Sequence, residues 1–148
     1  MGKVILEKLL RTTEFAKLYI LIRPSKTATA DQRLNEIFIS PIFAPLFKSN
    51  PEIASKIRKS VVAVAGDLMA PNLGISPDQR LELVRDLEII INSAASVDFT
   101  EPIKRMIKID YYGPISILEL AHECKRQPVF SHISTAYVTS NQPKFSKI

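Results

Sequence analysis

Four short sets of residues carry groups that could act on one ligand: Arg23-Pro24-Ser25-Lys26, Gly66-Asp67-Leu68, Ser93-Ala94-Ala95-Ser96 and Ser134-Thr135-Ala136-Tyr137. Each follows a short apolar run, and each has a use at a dinucleotide. A guanidinium at Arg23, with Ser25 and Lys26 beside it, can fork onto a ribose 2′-phosphate. The Asp67 carboxylate can accept a hydrogen bond from an adenine amino group, and Ala94 and Ala95 are small enough to let the backbone approach a cofactor. Taken singly, each set has a plainer use: a solvated strand end at Arg23, a turn at Asp67, a strand terminus at Ser134 and Thr135. Their joint appearance in this order is the signal. His122, Cys124 and His132 do not make a metal site, because His122 and Cys124 lie two apart on a predicted helix and no fourth ligand is suitably spaced. No metal is expected, and Cys124 reads as a small packing residue.

The elements that must position these groups alternate between helical and strand periodicity. Residues 3–12 place Val4, Ile5, Leu6, Leu9 and Leu10 at helical spacing. Residues 18–22, 61–65, 88–92 and 129–134 are short apolar runs of the kind found in strands buried on both faces. Helices are predicted over 30–38, from Asn50-Pro51 onward, and over 77–86, where Ser76-Pro77-Asp78-Gln79 is a capping box with proline at the first helical position. The stretch 40–47 reads as a proline-broken apolar loop. A helix opened by Pro102 should kink or split at Gly113-Pro114 before resuming to about residue 125. Helices separating buried strands specify an α/β fold, a doubly wound parallel sheet with helices on both faces. In such sheets ligands bind beyond the carboxyl ends of the strands, where the four sets stand.

Composition narrows the classes. The chain has 148 residues, 20 basic against 15 acidic side chains for a net charge of +5, and a pI near 9.4. One domain over residues 1–148 is expected. With 46% hydrophobic and 24% charged residues it is neither disordered nor a coiled coil. The apolar runs fall short of the roughly 18 residues of a spanning helix. There is no run of like charge of the kind that binds nucleic acid, whereas a modest positive balance suits ligands carrying several phosphates. The single Cys124 and the absence of a secretory pattern point to a reducing compartment. Only four glycines occur, against ten prolines.

On these residues the sequence resembles the alcohol-forming fatty acyl-CoA reductases, members of the extended short-chain dehydrogenase/reductase superfamily. Gly2-Lys3-Val4-Ile5-Leu6-Glu7-Lys8-Leu9-Leu10-Arg11 looks like the end of the family's glycine fingerprint and the helix behind it. Further matches are Tyr19-Ile20-Leu21-Ile22-Arg23-Pro24, Arg33-Leu34 leading to Ser40-Pro41-Ile42-Phe43, Gly66-Asp67-Leu68 with Pro71-Asn72-Leu73-Gly74, Asn92-Ser93-Ala94-Ala95-Ser96-Val97-Asp98-Phe99, and His132-Ile133-Ser134-Thr135-Ala136-Tyr137-Val138. They cover nearly the whole chain in the family's order. The resemblance implies a Rossmann-like fold and NADPH-dependent reduction of a long-chain fatty acyl-CoA, by two hydride transfers, to the fatty alcohol and free CoA. It assigns Gly2, Arg23, Ser25, Lys26, Asp67, Leu68, Ala94 and Ala95 to cofactor binding. Thr135, with Ser134 as second choice, matches the superfamily's catalytic hydroxyl, which bonds the carbonyl oxygen as charge develops. Tyr137 is a packing aromatic, since position 141 is Asn rather than Lys.

Three departures shape the expectation. The fingerprint needs two glycines upstream of Gly2, and the family's Tyr/Lys pair has no counterpart: Tyr111, Tyr112 and Tyr137 are followed four places on by Ile115, Ser116 and Asn141. Asp110 stands where the family usually has Asn, and Pro114 follows Gly113. The resemblance also implies a strand order of 3-2-1-4-5, so a sheet lacking its first, central strand would fall into two halves. The isolated chain is therefore expected to be an incomplete dinucleotide-binding domain, unstable and inactive alone. The alternatives are a related thioester reductase or other extended reductase, or an inactive truncated isoform that works as an interaction partner, by self-association or by pairing with full-length reductase. The family setting is the peroxisome or the endoplasmic-reticulum membrane; Ser146-Lys147-Ile148 only approximates a peroxisomal address.

Overall fold

The computed structural model describes residues 1–49, 52–98 and 100–135. Expectations resting on Asn50 and Pro51, Phe99, Ala136, Tyr137, Val138, Asn141 and 146–148 lie outside the described residues. Element order is α1 (Gly2–Thr12), β1 (Leu18–Ile22), α2 (Ala30–Phe38), a 3-10 turn (Pro41–Phe43), α3 (Ala44–Ser49), α4 (Ile53–Ser60), β2 (Val61–Ala65), a second tight turn (Pro71–Gly74), α5 (Pro77–Asp86), β3 (Ile89–Asn92), α6 (Ile103–Ile107), a π-helical turn (Lys108–Tyr112), α7 (Gly113–Glu123) and β4 (Val129–His132). The strands pair in parallel as two separate two-stranded sheets, β1 with β2 and β3 with β4. Parallel neighbours require helical crossovers, and the helices between strands supply them.

Two apolar clusters sit on this frame. One joins Leu6 and Leu10 of α1, Leu34 of α2, Phe43, Leu46, and Ile53 and Ile57 of α4 to Ile22, Val61 and Ala63. The other joins Val64, Leu73, Ile75, Leu83 of α5, and Ile117 and Leu120 of α7, with Tyr19, Ile90 and Phe130 packed against it. Both strand pairs thus share the α5–α7 layer, and α1 to α4 cover the far face of β1 and β2. The expectation that every strand is buried on both faces is corrected here: Ile89 is 62% and Val129 67% exposed, because only one face of the β3–β4 pair is covered.

The stretch 40–47 is not a loop. Pro41 and Pro45 both fall in first-turn positions, where the missing N–H costs nothing, so the segment coils into the 3-10 turn and α3. It delivers Phe43, fully buried, against Phe38 with ring centroids 5.4 Å apart. The split at Gly113-Pro114 takes the form of the π-turn. Pro114 has no N–H and its ring would strike the carbonyl four residues back, so the preceding turn widens and the Gly113 N–H reaches back to the Lys108 carbonyl. β4 ends at His132, not at residue 134. The capping at Ser76 is one-sided: its hydroxyl accepts from the Gln79 N–H at 3.4 Å, while the Gln79 amide reaches the Ala63 carbonyl. The reciprocal box is at Thr29 and Gln32, opening α2.

Candidate functional site

Each predicted set begins where a strand ends, and hydrogen bonds tie those ends together. Pairing places Ile22 beside Ala65 and Asn92 beside His132. Each ladder runs one residue further: the Gly66 N–H donates to the Ile22 carbonyl at 3.2 Å, and the Ile133 N–H to the Asn92 carbonyl at 2.9 Å. Arg23 therefore leaves its strand beside Gly66, and Ser93 beside Ile133. The first helix joins the two pairs. A Cβ on Gly2 would lie 3.6 Å from Ser93 Oγ, while the far end of α1 feeds β1. Hence β1 and β3 run the same way and finish at the end where α1 begins.

The α6–α7 segment closes the ring. The Ser96 N–H donates to Asp110 Oδ1 at 2.8 Å, and a Cβ on Gly113 would come within 3.1 Å of Leu68 Cβ. The π-turn thus touches the loop after β3, and the residue following it touches the loop after β2. Arg23 and Lys26 are exposed on this rim. The Ser25 hydroxyl accepts from the Ala28 N–H at 3.0 Å and the Thr27 N–H at 3.3 Å, so it shapes the turn that presents its neighbours. Asp67 Oδ1 accepts from the Met69 N–H at 2.9 Å and the Asp67 N–H donates to the Leu73 carbonyl at 2.7 Å. The carboxylate keeps further lone pairs for an incoming donor. Its turn needs three consecutive residues in the left-handed region, Asn72, Leu73 and Gly74, with φ of 52°, 61° and 60°. Leu73 tolerates this because it is locked in the core at 1% exposure. Ala94 and Ala95 are exposed, and Ser134 and Thr135 lie just past β4, also exposed.

Two residues that the sequence reading quoted among the family matches were given no place in the site. Arg33 of α2 places its guanidinium on the Arg23 carbonyl, bringing a second arginine to the end of β1; its distance of ten residues from Arg23 hid it. Asn92 is a buried polar side chain, 3% exposed, whose Oδ1 accepts the Ala94 N–H at 3.1 Å and whose amide nitrogen meets His132 Nδ1 at 3.0 Å. With the oxygen taken, the amide donates, which makes Nδ1 the unprotonated ring nitrogen. Its terminal place in an apolar strand was the signal available. Cys124 is buried and its thiol donates to the Leu120 carbonyl at 3.2 Å, and burial pushes its pKa up.

The rim suits a dinucleotide chemically: cations at the end of β1, a helix N-terminus beside the loop after β3, small residues in that loop and hydroxyls after β4. Comparison with known proteins agrees. A family of NAD-binding domains described as male sterility protein matches residues 1–147. The chain is 39% identical over 140 residues to fatty acyl-CoA reductase wat of Drosophila melanogaster, covering 95% of this chain and 26% of that protein. It is 32% identical to fatty acyl-CoA reductase 1 of Gallus gallus, covering 100% of this chain and 28% of that protein. Among solved structures, the reductase domain of a nonribosomal peptide synthetase from Mycobacterium tuberculosis superposes with a TM-score of 0.73 at 26% identity, over 95% of this chain and 32% of that one. The chain thus spans about a quarter to a third of the length of these relatives. With its strand ends gathered on one rim and that match running over residues 1–147, the chain belongs to the male sterility protein family of NAD-binding domains, the family of the fatty acyl-CoA reductases.

Proposed function

We propose that this chain forms the cofactor-binding side of an NADPH-dependent reductase that converts long-chain fatty acyl-CoA to fatty alcohol and free CoA. The observation that carries the reading is the meeting of four strand-end loops on one rim, with Arg23 and Arg33 together at the end of β1. A bound nicotinamide supplies hydride to the thioester carbonyl carbon. Arg23, Arg33 and Lys26 take the ribose phosphate as charge-assisted hydrogen-bond donors. Asp67 accepts from the adenine edge, and the bare Cβ of Ala94 and Ala95 lets backbone lie against the cofactor, held in place by Asn92. Thr135, with Ser134 beside it, donates to the carbonyl oxygen as it gains charge.

Titration of the purified chain with NADPH and with NADH tests this. NADPH should bind more tightly. Arg23→Ala and Arg33→Ala should each weaken NADPH by about 10- to 100-fold, the range for a lost charged hydrogen bond, and leave NADH nearly unchanged. Equal affinities for the two cofactors, unmoved by either substitution, would remove the assignment. The likeness to a peptide-synthetase reductase domain favours one second reading, a carrier-bound thioester as substrate. Acyl-CoA-dependent against carrier-dependent NADPH oxidation separates them.

A further inference from the structure

We propose that Pro114 is a positioning residue for the cofactor rim: by widening the turn before it, the proline aims Asp110 at the loop after β3 and fixes that loop against the loop after β2. That role rests on the cofactor reading and deepens it. α6, the π-turn and α7 form one continuous helix, and the wide turn falls where that helix passes both loops. The C-terminal half of the helix is fixed by packing. Ile117 and Leu120 are buried in the second core cluster, and Gly113 lies so close to Leu68 that an added Cβ would be 3.1 Å from the leucine's own Cβ. From that fixed point the π-turn sets where Asp110 stands.

Ser96 is held by this helix at two points. Its N–H donates to Asp110 Oδ1 at 2.8 Å, and its hydroxyl donates at 2.8 Å to Glu101 Oε2, on a carboxylate that Arg105 holds at 2.9 Å. Arg105 and Asp110 are five positions apart. A regular α-helix makes neighbours of residues three or four apart, and at about 3.6 residues per turn it would set these two roughly 140° from each other. A wider turn, bonded across five residues, brings them toward one side, and the bond from the Gly113 N–H to the Lys108 carbonyl is of that kind. Pro114 enforces it, because an α-helical register would need an N–H at 114 for the Asp110 carbonyl and room for the ring against that oxygen. The anchor at Ser96 then carries back to Ala94 and Ala95, the backbone that lies against the cofactor in the proposed reading.

Amide hydrogen exchange of the full chain, with NADPH and NADH titrations beside it, tests the clamp. Pro114→Ala restores the N–H and should let the turn revert to α. Ser96 should then exchange about three- to tenfold faster and both cofactors should weaken by a similar factor, the range for one lost hydrogen bond. Alanine suits a helix interior better than proline, so the variant folds. Asp110→Ala should do the same, whereas Asp110→Asn, which keeps an acceptor oxygen, should restore most of the loss. Pro114→Ala with Asp110→Ala should be no worse than either alone, since both remove the same bond. Equal weakening of NADPH and NADH separates this role from that of Arg23, whose loss acts on NADPH. Unchanged exchange at Ser96 in Pro114→Ala, additive losses in the double variant, or an Asp110→Asn as weak as Asp110→Ala would each overturn the assignment. A wild-type chain that binds neither cofactor would remove the cofactor reading, while the exchange rates at Ser96 still decide whether Pro114 sets the clamp.

Discussion

A Cβ added to Gly66 would lie 2.5 Å from Leu21 Cδ1 and 2.6 Å from the Leu73 carbonyl oxygen. The leucine can turn aside, but the carbonyl belongs to the left-handed turn that holds Asp67 and cannot. Glycine is required here by close approach, and Gly66→Ala should cost about 1–3 kcal/mol in chemical denaturation, the range for overpacking. Asn92 makes the opposite case, a residue needed for what its side chain bonds. Asn92→Leu leaves the Ala94 N–H and His132 Nδ1 without their partner, which should destabilise the fold by about 1–3 kcal/mol and loosen the loop after β3. Faster amide exchange at Ala94 than in Gly66→Ala would show that the loop, not the core, has been released.

Among the elements, α2 and α5 open on different caps. Thr29 and Gln32 satisfy each other's backbone N–H groups at 3.2 and 2.8 Å, whereas the Ser76 hydroxyl makes two long bonds to Gln79, accepting from its N–H and donating to its side-chain oxygen at 3.4 Å each, and its own backbone N–H gets no return bond from Gln79. Thr29→Ala should therefore cost about 1 kcal/mol and Ser76→Ala less, compared by denaturant midpoint. The two layers are also tied by charge. Lys17 and Tyr19 of the β1 segment reach Glu82 and Asp86 of α5. Arg85, donating to Asp86, holds its carboxyl down at about 2, and Lys17 lowers Glu82. A carboxylate depressed in the folded state contributes stability above its unfolded pKa and loses it as pH falls through the folded value, so stability should decline from about pH 4 toward pH 2. Burial, with the Glu82 hydrogen bond second, pushes Tyr19 up to about 12; its contribution is present below pH 10 and lost between there and 12. Thermal melts of Asp86→Asn and Tyr19→Phe should flatten the acid and alkaline declines respectively; the acid effect, which rests on the Arg85 charge, should shrink in salt, whereas the alkaline one, which rests first on burial, should change little.

At the scale of the whole molecule, the two parallel pairs share helices but no backbone ladder. Since the Ile22 carbonyl faces β2 and the Asn92 carbonyl faces β4, alternation turns the N–H and C=O groups of Tyr19, Leu21, Ile89 and Ile91 away from their partners. Leu21 is 37% and Ile91 40% exposed, which makes these strand edges pairing hazards. The chain should associate with rising concentration, and Ile91→Lys, a charge on an edge strand, should suppress that in light scattering without altering the far-ultraviolet spectrum.

Read alone, the residues determined the order and type of the main elements, because apolar spacing of 3.6 or 2 is a local property that each segment carries with it. They also located the rim, because a parallel sheet gathers its strand ends by topology rather than by contact. The folding of 40–47 escaped, since two prolines and an apolar run suit a loop as well as a first turn; burial of Phe43 decided between them. The exposed face of β3 and β4 escaped for a related reason: an apolar run marks what a strand could bury, and only the packed helices decide which side is covered. Arg33 beside Arg23, Asp110 on Ser96 and Asn92 between Ala94 and His132 are meetings across 2 to 40 positions of sequence. Such partners are selected by the tertiary arrangement, since a hydrogen bond depends on a distance that no one segment sets.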